Sequence, residues 1–281
     1  MGFKTSKFSV RTKRGRIKSF ARTGERFASL RQGFNYTIHA GGYTGSSAVA
    51  TADKFDHSTE VKSSLSSANL NQARTSFGIL STGYGVGYTC GGGTGAAIVN
   101  TTEKTSFDTN TTATKASASL GRANPTYSQQ GYTGNKNSKG YIFGGIDVGS
   151  TLQRLVTVLN YATDTASNGP SAMRQSVAKH GYSVVSSDEI AISAGGYASG
   201  GTVASADKHN LSTEVTASQS SANLTTARYQ IASLHSSTYG YHLAGFTGSA
   251  YSNSIDRVNL DTFQNVVISS TLSNQVSDAR G

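Results

Sequence analysis

The sequence predicts an all-β protein made of five small antiparallel sheets, and three observations lead to this prediction. The first is composition: 32 of the 281 residues are glycine, 2 are proline, none is tryptophan, and Ser and Thr separate short apolar runs. This composition is typical of strands joined by turns rather than of helices. The second is an internal repeat, and the third is the way in which the two chain ends complete it.

The repeat is marked by a glycine pair that follows an apolar strand about every fifty residues. The copies are Gly41-Gly42, Gly91-Gly92, Gly144-Gly145, Gly195-Gly196 and a weakened Gly245-Phe246. Four units then carry a polar dyad, which the third unit replaces with the apolar run 155–159. The dyads are Asp53-Lys54, Glu103-Lys104, Asp207-Lys208 and Asp256-Arg257. An Ala-Arg block closes the unit, in the copies Ala73-Arg74, Ala227-Arg228, the looser Ala172-Met173-Arg174 and Asp278-Ala279-Arg280.

Each unit divides into four short strands. In the second unit we expect them at 77–80, 87–90, 98–107 and 112–120, with Gly, Ser, Thr and Asn in the turns between them. A four-stranded unit that repeats at this spacing is typical of one blade of a β-propeller. Residues 26–40 resemble the first two strands of a unit, and the last unit stops at the chain end. We therefore expect a five-bladed propeller over residues 24–281, its ring closed by two strands from each chain end.

The order of these blocks resembles the kelch repeat of β-propellers over residues 24–281. Two departures stand out: the kelch tryptophan of the fourth strand is missing in every unit, and the glycine pair is degraded in the fifth. Short variants rich in Ser, Thr and Gly are similar to propellers of bacteriophage structural proteins. The resemblance implies a structural protein of a virion, associated with a tail or a capsid and present in several copies.

Positive charge is concentrated in the first 23 residues, a basic extended arm. The chain has 25 Lys and Arg, 15 Asp and Glu, and a net charge of +10. Eight of the cations and none of the acids lie in the arm: Lys4, Lys7, Arg11, Lys13, Arg14, Arg16, Lys18 and Arg22. The propeller region is therefore nearly neutral, and the arm is the source of most of the positive electrostatic potential.

Four interpretations of the arm follow from its residues. The start Met1-Gly2-Phe3-Lys4-Thr5-Ser6 fits a myristoylation pattern, to which the cations would add a second membrane signal. An acid-free segment with Arg and Ser also resembles an organellar transit peptide. Contact with nucleic acid is the third interpretation, although no folded reader domain accompanies the cations. We favour the fourth, a tether that inserts into an acidic surface of another structural protein.

Each repeated motif has a structural interpretation that we prefer to a catalytic one. The glycine pairs are expected to allow positive φ and close packing, and Gly83-Tyr84-Gly85-Val86-Gly87 lacks the following helix that a dinucleotide site needs. Acids repeated at equivalent positions indicate structural work, so we expect them to accept bonds from a turn or from the Arg block of the adjacent blade. We expect no catalytic site and no cofactor, and therefore no enzyme.

Histidine and cysteine give no metal-site pattern. The six histidines show no short-spaced pair, and the one cysteine, Cys90, cannot supply a cluster or an internal disulfide. Cys90 fills the position before the glycine pair that Ala40, Phe143, Ala194 and Ala244 fill elsewhere, so we expect it to be buried. His39 and His242 lie on corresponding strands one residue out of register, which predicts opposite faces.

Aromatic residues after the glycine pairs are the candidate recognition residues. Tyr43, Tyr197 and Phe246 are expected on loops of one propeller face, where they could stack on a sugar ring or contact a partner, or simply pack within the loops. The favoured function is therefore a non-enzymatic virion protein docked through its arm. The alternatives are a propeller that binds carbohydrate or a host surface, and a cytoplasmic kelch-type adaptor.

Overall fold

A computed structural model describes most of the chain after residue 34. The described residues are 35–44, 46–82, 85–120, 138–147, 149–187 and 189–273, together with the backbone of 11–12, 15–16, 126–127 and 130–133. The chain divides into two units, Met1–Gly33 and Phe34–Gly281. Within the described residues, no helix has the length and apolar character needed to span a membrane.

In the first unit the description covers the backbone of one small hairpin. Strand Arg11–Thr12 pairs antiparallel with Gly15–Arg16. Nothing further of the predicted arm is described: the side chains of all eight arm cations lie outside the described residues, as does the predicted boundary at residue 23. The arm's role therefore stays a prediction.

The second unit is a five-bladed β-propeller made of antiparallel sheets, as the sequence predicts. We number the sheets 1 to 5 in chain order. Sheet 1 consists of Tyr36–Tyr43, Ala48–Asp56 and Val61–Ser64. Sheet 2 consists of Gly78–Ser81, Val86–Cys90, Thr102–Ser106 and Thr111–Thr114. Sheet 3 consists of Gln130–Thr133, Lys139–Phe143, Val156–Asn160 and Thr165–Asn168. Sheet 4 consists of Ser183–Ser186, Ile190–Ala194, Ala206–Asn210 and Val215–Ser218. Sheet 5 consists of Ala232–His235, Tyr239–Leu243, Ile255–Asn259 and Asn265–Val267.

Strands within each sheet follow the chain order, and each pairs with the next. The first strands of sheets 2 to 5 contact one another in succession, so they lie on the side toward the axis around which the sheets are arranged. Two minor sheets lie in the connecting loops: Thr126–Tyr127 pairs with Ile146–Asp147, and Tyr197–Ala198 pairs with Gly201–Thr202.

In sheets 1 to 4, a 3-10 turn follows the last strand and ties the sheet to the next one. The four turns are Ser66–Ala68, Ala116–Ala118, Ser171–Met173 and Ser220–Ala222. The Ser117 hydroxyl donates to the Asp164 carbonyl (2.7 Å), and the Ser221 hydroxyl donates to the Phe263 carbonyl (2.9 Å). Both acceptors sit at positive φ in the hairpin between the third and fourth strands of the next sheet. In the second unit the turn Ala116–Ala118 occupies the end of the fourth strand predicted at 112–120, which is therefore shorter than expected.

The predicted closure of the ring by a shared sheet is wrong for the described strands. The strand Tyr36–Tyr43 pairs with Ala48–Asp56 of its own unit, and sheet 5 already has four strands from residues 232–267. The reason is that short hairpin connections pair neighbours along the chain, so the strand before a glycine pair belongs to the same sheet as the strand after it. Residues 27–30 and 274–281 lie outside the described residues.

Apolar side chains are buried between successive sheets. Tyr141, Phe143 and Tyr182 belong to the cluster between sheets 3 and 4. Val185, Ile192 and Val258 belong to the cluster between sheets 4 and 5, and a third cluster between sheets 2 and 3 includes Cys90. Because every core is shared by two neighbours, each sheet depends on the next for its burial.

Candidate functional site

Three of the four dyad acids, Glu103, Asp207 and Asp256, bind the segment that leads from the preceding sheet, as predicted, whereas Asp53 pairs with Lys62 of its own sheet. The Arg74 guanidinium forms an ion pair with Glu103 of sheet 2, and Arg228 pairs with Asp256 of sheet 5 at 2.7 Å. The side chains are at most 1% exposed. Backbone amides add further bonds, from Asn71 to Glu103 (2.6 Å) and from Thr225 to Asp256 (3.0 Å). These carboxylates are therefore engaged in holding sheets together.

Two of the four basic members of the dyads, Lys104 and Lys208, reach the hairpin of the next sheet. Lys104 Nζ lies 2.9 Å from Asp164, which also accepts from the Tyr88 hydroxyl at 2.6 Å. Lys208 Nζ lies 4.1 Å from the centroid of the Phe263 ring. Asp164 and Phe263 occupy the same hairpin position, with φ of 51° and 59°. An ion pair and a cation–π contact thus do the same structural work at equivalent places.

The structure corrects the register of the third Ala-Arg block. The sequence places it at Ala172-Met173-Arg174, but Arg174 is exposed and follows the 3-10 turn. The cation that faces the acid of the next sheet is Lys179, whose Nζ donates to the Ser205 carbonyl at 2.9 Å and interacts electrostatically with Asp207. Asp207 accepts hydrogen bonds from the backbone N–H and the hydroxyl of Ser176. Burial lowers the pKa of Lys179 to about 8.

Register also changes in the fifth unit, where the pair is Ala244-Gly245 rather than Gly245-Phe246. Ala244 has a φ of 58°, and Gly245 has a φ of 112°, the values of the first and second glycine in the other units. The prediction of positive φ and close packing is confirmed at Gly195, where φ is 73° and an added Cβ would lie 2.4 Å from Ile231. Leu243, and not Ala244, corresponds to Cys90 of the second unit.

His39 and His242 are in the same register, so the predicted offset of one residue is wrong. His39 faces Asp53 across its sheet, and His242 faces Asp256. The error follows from the misplaced glycine pair of the fifth unit. His39 is exposed, whereas His242 is buried and lies 2.5 Å from the Ser183 hydroxyl.

Two histidines and the cysteine are buried inside the propeller. Burial lowers the pKa of His209 and of His242 to about 3, so both imidazoles are neutral at physiological pH. Cys90 is buried, as predicted, and burial raises the pKa of its thiol to about 12. No group of three His, Cys, Asp or Glu side chains that could hold a metal ion occurs within the described part of the chain.

One continuous row of rings runs across the loops of sheets 4 and 5. Its members are His180, Tyr197, Tyr229, Phe246 and Tyr251. Tyr197 lies 5.7 Å from His180 and 5.3 Å from Tyr229, measured between ring centroids. The row continues from Tyr229 to Phe246 at 5.8 Å and from Phe246 to Tyr251 at 5.1 Å. Tyr197 is 40% exposed and Tyr251 is 54% exposed, so the row reaches solvent at its Tyr251 end and at Tyr197, next to His180.

Backbone pairing between sheets holds these rings in place. His180, the residue after the cation Lys179, exchanges two hydrogen bonds with Tyr197, at 3.1 and 2.9 Å. Tyr229, the residue after Arg228, does the same with Phe246, at 3.0 and 2.8 Å. The connection from one sheet thus pairs with the loop after the glycine pair of the next sheet. Equivalent positions in the second unit hold Thr75 and Gly93, which bear no ring.

A cleft of about 530 Å³ adjoins the His180 end of the row. Its walls come from Ile146 and residues 150–152 of the sheet 3 loop, from 177–178 and His180 of the connection, and from the loop at 197–199. Asp147 shapes the sheet 3 wall, because its carboxylate accepts from the backbone N–H of Gly149 (3.0 Å) and Thr151 (2.8 Å). The cleft thus lies where sheets 3 and 4 meet.

The structure unites two of the three predicted recognition aromatics. Tyr197 and Phe246 belong to the row, whereas Tyr43, on sheet 1 and 60% exposed, makes none of its ring contacts. His180, Tyr229 and Tyr251 were missed by the sequence analysis. The signal for the first two was their position directly after the basic residue of the closing block, which the sequence shows for Tyr229 after Arg228 but shows for His180 only with the corrected register.

Comparison of the chain with protein-family models and with curated proteins gave no match.

Proposed function

We propose that this chain is a non-enzymatic structural protein of a virion, a kelch-like propeller of the bacteriophage type. The propeller body is held on a tail or capsid by its basic arm, in several copies. The observation that supports this role is the use of the repeated acids and cations as bonds between sheets, as in Arg228–Asp256. Such links favour a rigid structural body, because they engage the carboxylates in contacts between sheets rather than in catalysis.

The arm provides the test of docking. Removing residues 1–23 leaves every described bond of the propeller in place, so the thermal transition of the truncated protein should match that of the full chain. Its copy number on purified particles, counted by quantitative mass spectrometry, should fall to background because eight cations are lost. The double reversal Arg14→Glu with Arg16→Glu should weaken docking, and added salt should weaken it further. Normal occupancy of the truncated protein would refute the tether.

A second candidate function is recognition of a carbohydrate or a host surface. The specific observation in its favour is the unequal distribution of rings: Tyr197, Tyr229 and Phe246 crowd onto the loops of sheets 4 and 5, whereas the equivalent loop of sheet 2 carries Gly93. A surface that only packs against a particle has no need of such a difference between blades. The two roles are compatible, since one would use the arm and the other the loops.

A further inference from the structure

The exposed ring of Tyr197 stands at the edge of the cleft between sheets 3 and 4. The ring is held at its backbone by the bonds to His180 and at its side by Tyr229, 5.3 Å away. It is nevertheless 40% exposed. A ring fixed in this way offers a preformed flat surface, which lowers the entropy cost of binding a ligand.

The walls of the cleft are uncharged and mainly apolar, with a few hydroxyl groups among them. Hydroxyls come from Ser150, Thr151 and Ser199, and apolar surface comes from neighbours such as Leu152. No Asp, Glu, Lys or Arg occurs among the described residues that line the cleft. Burial lowers the pKa of His180, so its imidazole is neutral at physiological pH and can serve as a hydrogen-bond donor or acceptor without charge.

We propose that this cleft binds a neutral pyranose ring of a glycan, which stacks on Tyr197 and hydrogen-bonds to His180 and the serine and threonine hydroxyls. The proposal rests on the second candidate function and names its site and ligand class. The negative face of an aromatic ring attracts the polarised C–H groups of a sugar face. The hydroxyls of the sugar then meet a wall that can both donate and accept.

Size and charge separate this ligand from the alternatives. A volume of about 530 Å³ falls within the range of small-molecule sites and suits one or two sugar rings. A nucleotide or a sugar phosphate would bring negative charge to a wall without a lining cation, and this costs binding energy. Beyond Tyr197, the row that ends at Tyr251 gives a longer glycan a second place to contact.

The test is binding of a panel of neutral mono- and disaccharides to the full chain, measured by saturation-transfer NMR and by titration. We expect at least one saccharide to bind, Tyr197→Ala to weaken it about tenfold or more, and Tyr197→Phe to keep most of the affinity. Tyr43→Ala is the matched control, because Tyr43 follows the glycine pair of sheet 1 at 60% exposure and lies outside the row. Ser199→Arg, which fills the cleft from an exposed position, should also abolish binding.

Three results would overturn the proposal: no binding by any saccharide, equal affinity in the wild type and in Tyr197→Ala, or a preference for phosphorylated sugars. Melting curves of each variant show whether its fold is kept, and Ser199→Arg tests the same cleft independently of the tyrosine. Particle association of Tyr197→Ala should be normal. Failure of sugar binding with arm-dependent docking would therefore reject the glycan site alone, whereas normal docking of the protein without residues 1–23, with intact sugar binding, would reject only the tether.

Discussion

The interface between sheets 4 and 5 and the interface between sheets 3 and 4 use the same repeat position with different cations. At the first, Arg228 donates to the carbonyls of Ala244 (2.7 Å) and His242 (3.1 Å) and also pairs with Asp256 (2.7 Å). Burial alone would raise the pKa of Asp256, but hydrogen bonds from Thr225 and Asn265 and the charge of Arg228 outweigh it and lower the pKa. The planar fork of arginine thus satisfies several acceptors at once.

At the second interface the cation is Lys179, whose bond goes to the carbonyl of Ser205 rather than to the carboxylate of Asp207. Asp207 takes its hydrogen bonds from Ser176 instead. A single ammonium cannot reproduce the arginine fork, and burial without a close counter-ion lowers the pKa of Lys179. At both interfaces the cation at this repeat position reaches toward the acid of the next sheet, and the type of cation decides which acceptors it binds. The more weakly linked interface is also the one that forms the cleft.

The largest expected effect comes from breaking the stronger link. Arg228→Ala leaves Asp256 buried without its counter-ion and leaves two carbonyls without their donor. We expect the free energy of unfolding, measured by urea denaturation at neutral pH, to fall by about 3–5 kcal/mol. Arg174→Ala is the control, since Arg174 is exposed and its loss should change stability by less than about 0.5 kcal/mol. Similar losses in both variants would contradict the assignment of Arg228 as the sheet-bridging residue.

The weaker link gives a smaller effect that depends on pH. The pKa of Lys179 is about 8 in the folded protein and about 10.5 in the unfolded chain. Between these values the unfolded chain holds more protons, so the free energy of unfolding should rise with pH, by at most about 1.4 kcal/mol per unit. Below pH 8 the cost of burying the charged lysine is present in full.

Lys179→Met should remove this alkaline rise, because the titrating group is gone. The measurement is urea denaturation at several pH values from 8 to 9.5, a window below the titration of ordinary tyrosines at about 10. Lys62→Met is the matched control, since the Lys62 side chain is 63% exposed and should leave the rise unchanged. A rise that persists in Lys179→Met would show that another group causes it.

Much of this architecture could be predicted from the sequence because the repeat reports backbone requirements. Positive φ recurs at fixed spacing, so the glycine pairs locate the turns between the second and third strands. Three of the four acids accept bonds from the segment that leads from the preceding sheet, and Glu103 and Asp256 were correctly expected to meet an Arg block. These features depend on local backbone conformation and on one contact that is repeated between neighbouring sheets. Both therefore recur at a fixed spacing in the sequence.

The features that were not predicted depend on a different residue type filling a repeat position, or on contacts between residues far apart in the sequence. Lys179 was missed because a lysine takes the position that arginine fills at Arg74 and Arg228, and Arg174 resembled the Ala-Arg block more closely in sequence. Ala244 was missed because a non-glycine residue adopts the positive φ of the first glycine. The aromatic row was missed because Tyr197 and Tyr229 meet only when two sheets lie side by side, a relation that the spacing within one unit does not contain.

The smallest effect is expected at Asp53, the sheet 1 equivalent of the buried acids Glu103 and Asp256. Its side chain is 39% exposed and pairs at 3.0 Å with Lys62, which is 63% exposed. Because exposed ion pairs contribute little, Asp53→Asn should change the free energy of unfolding by less than about 0.5 kcal/mol. Glu103→Gln is the matched comparison and should lower the free energy of unfolding by about 3 kcal/mol or more, since it leaves Arg74 buried without a carboxylate.

A loss at Asp53 as large as that at Glu103 would mean that Asp53 has a further partner. The repeat places one candidate at Arg280, in the last Ala-Arg block and outside the described residues, and the double variant Asp53→Asn with Arg280→Ala would then lose no more stability than either single change.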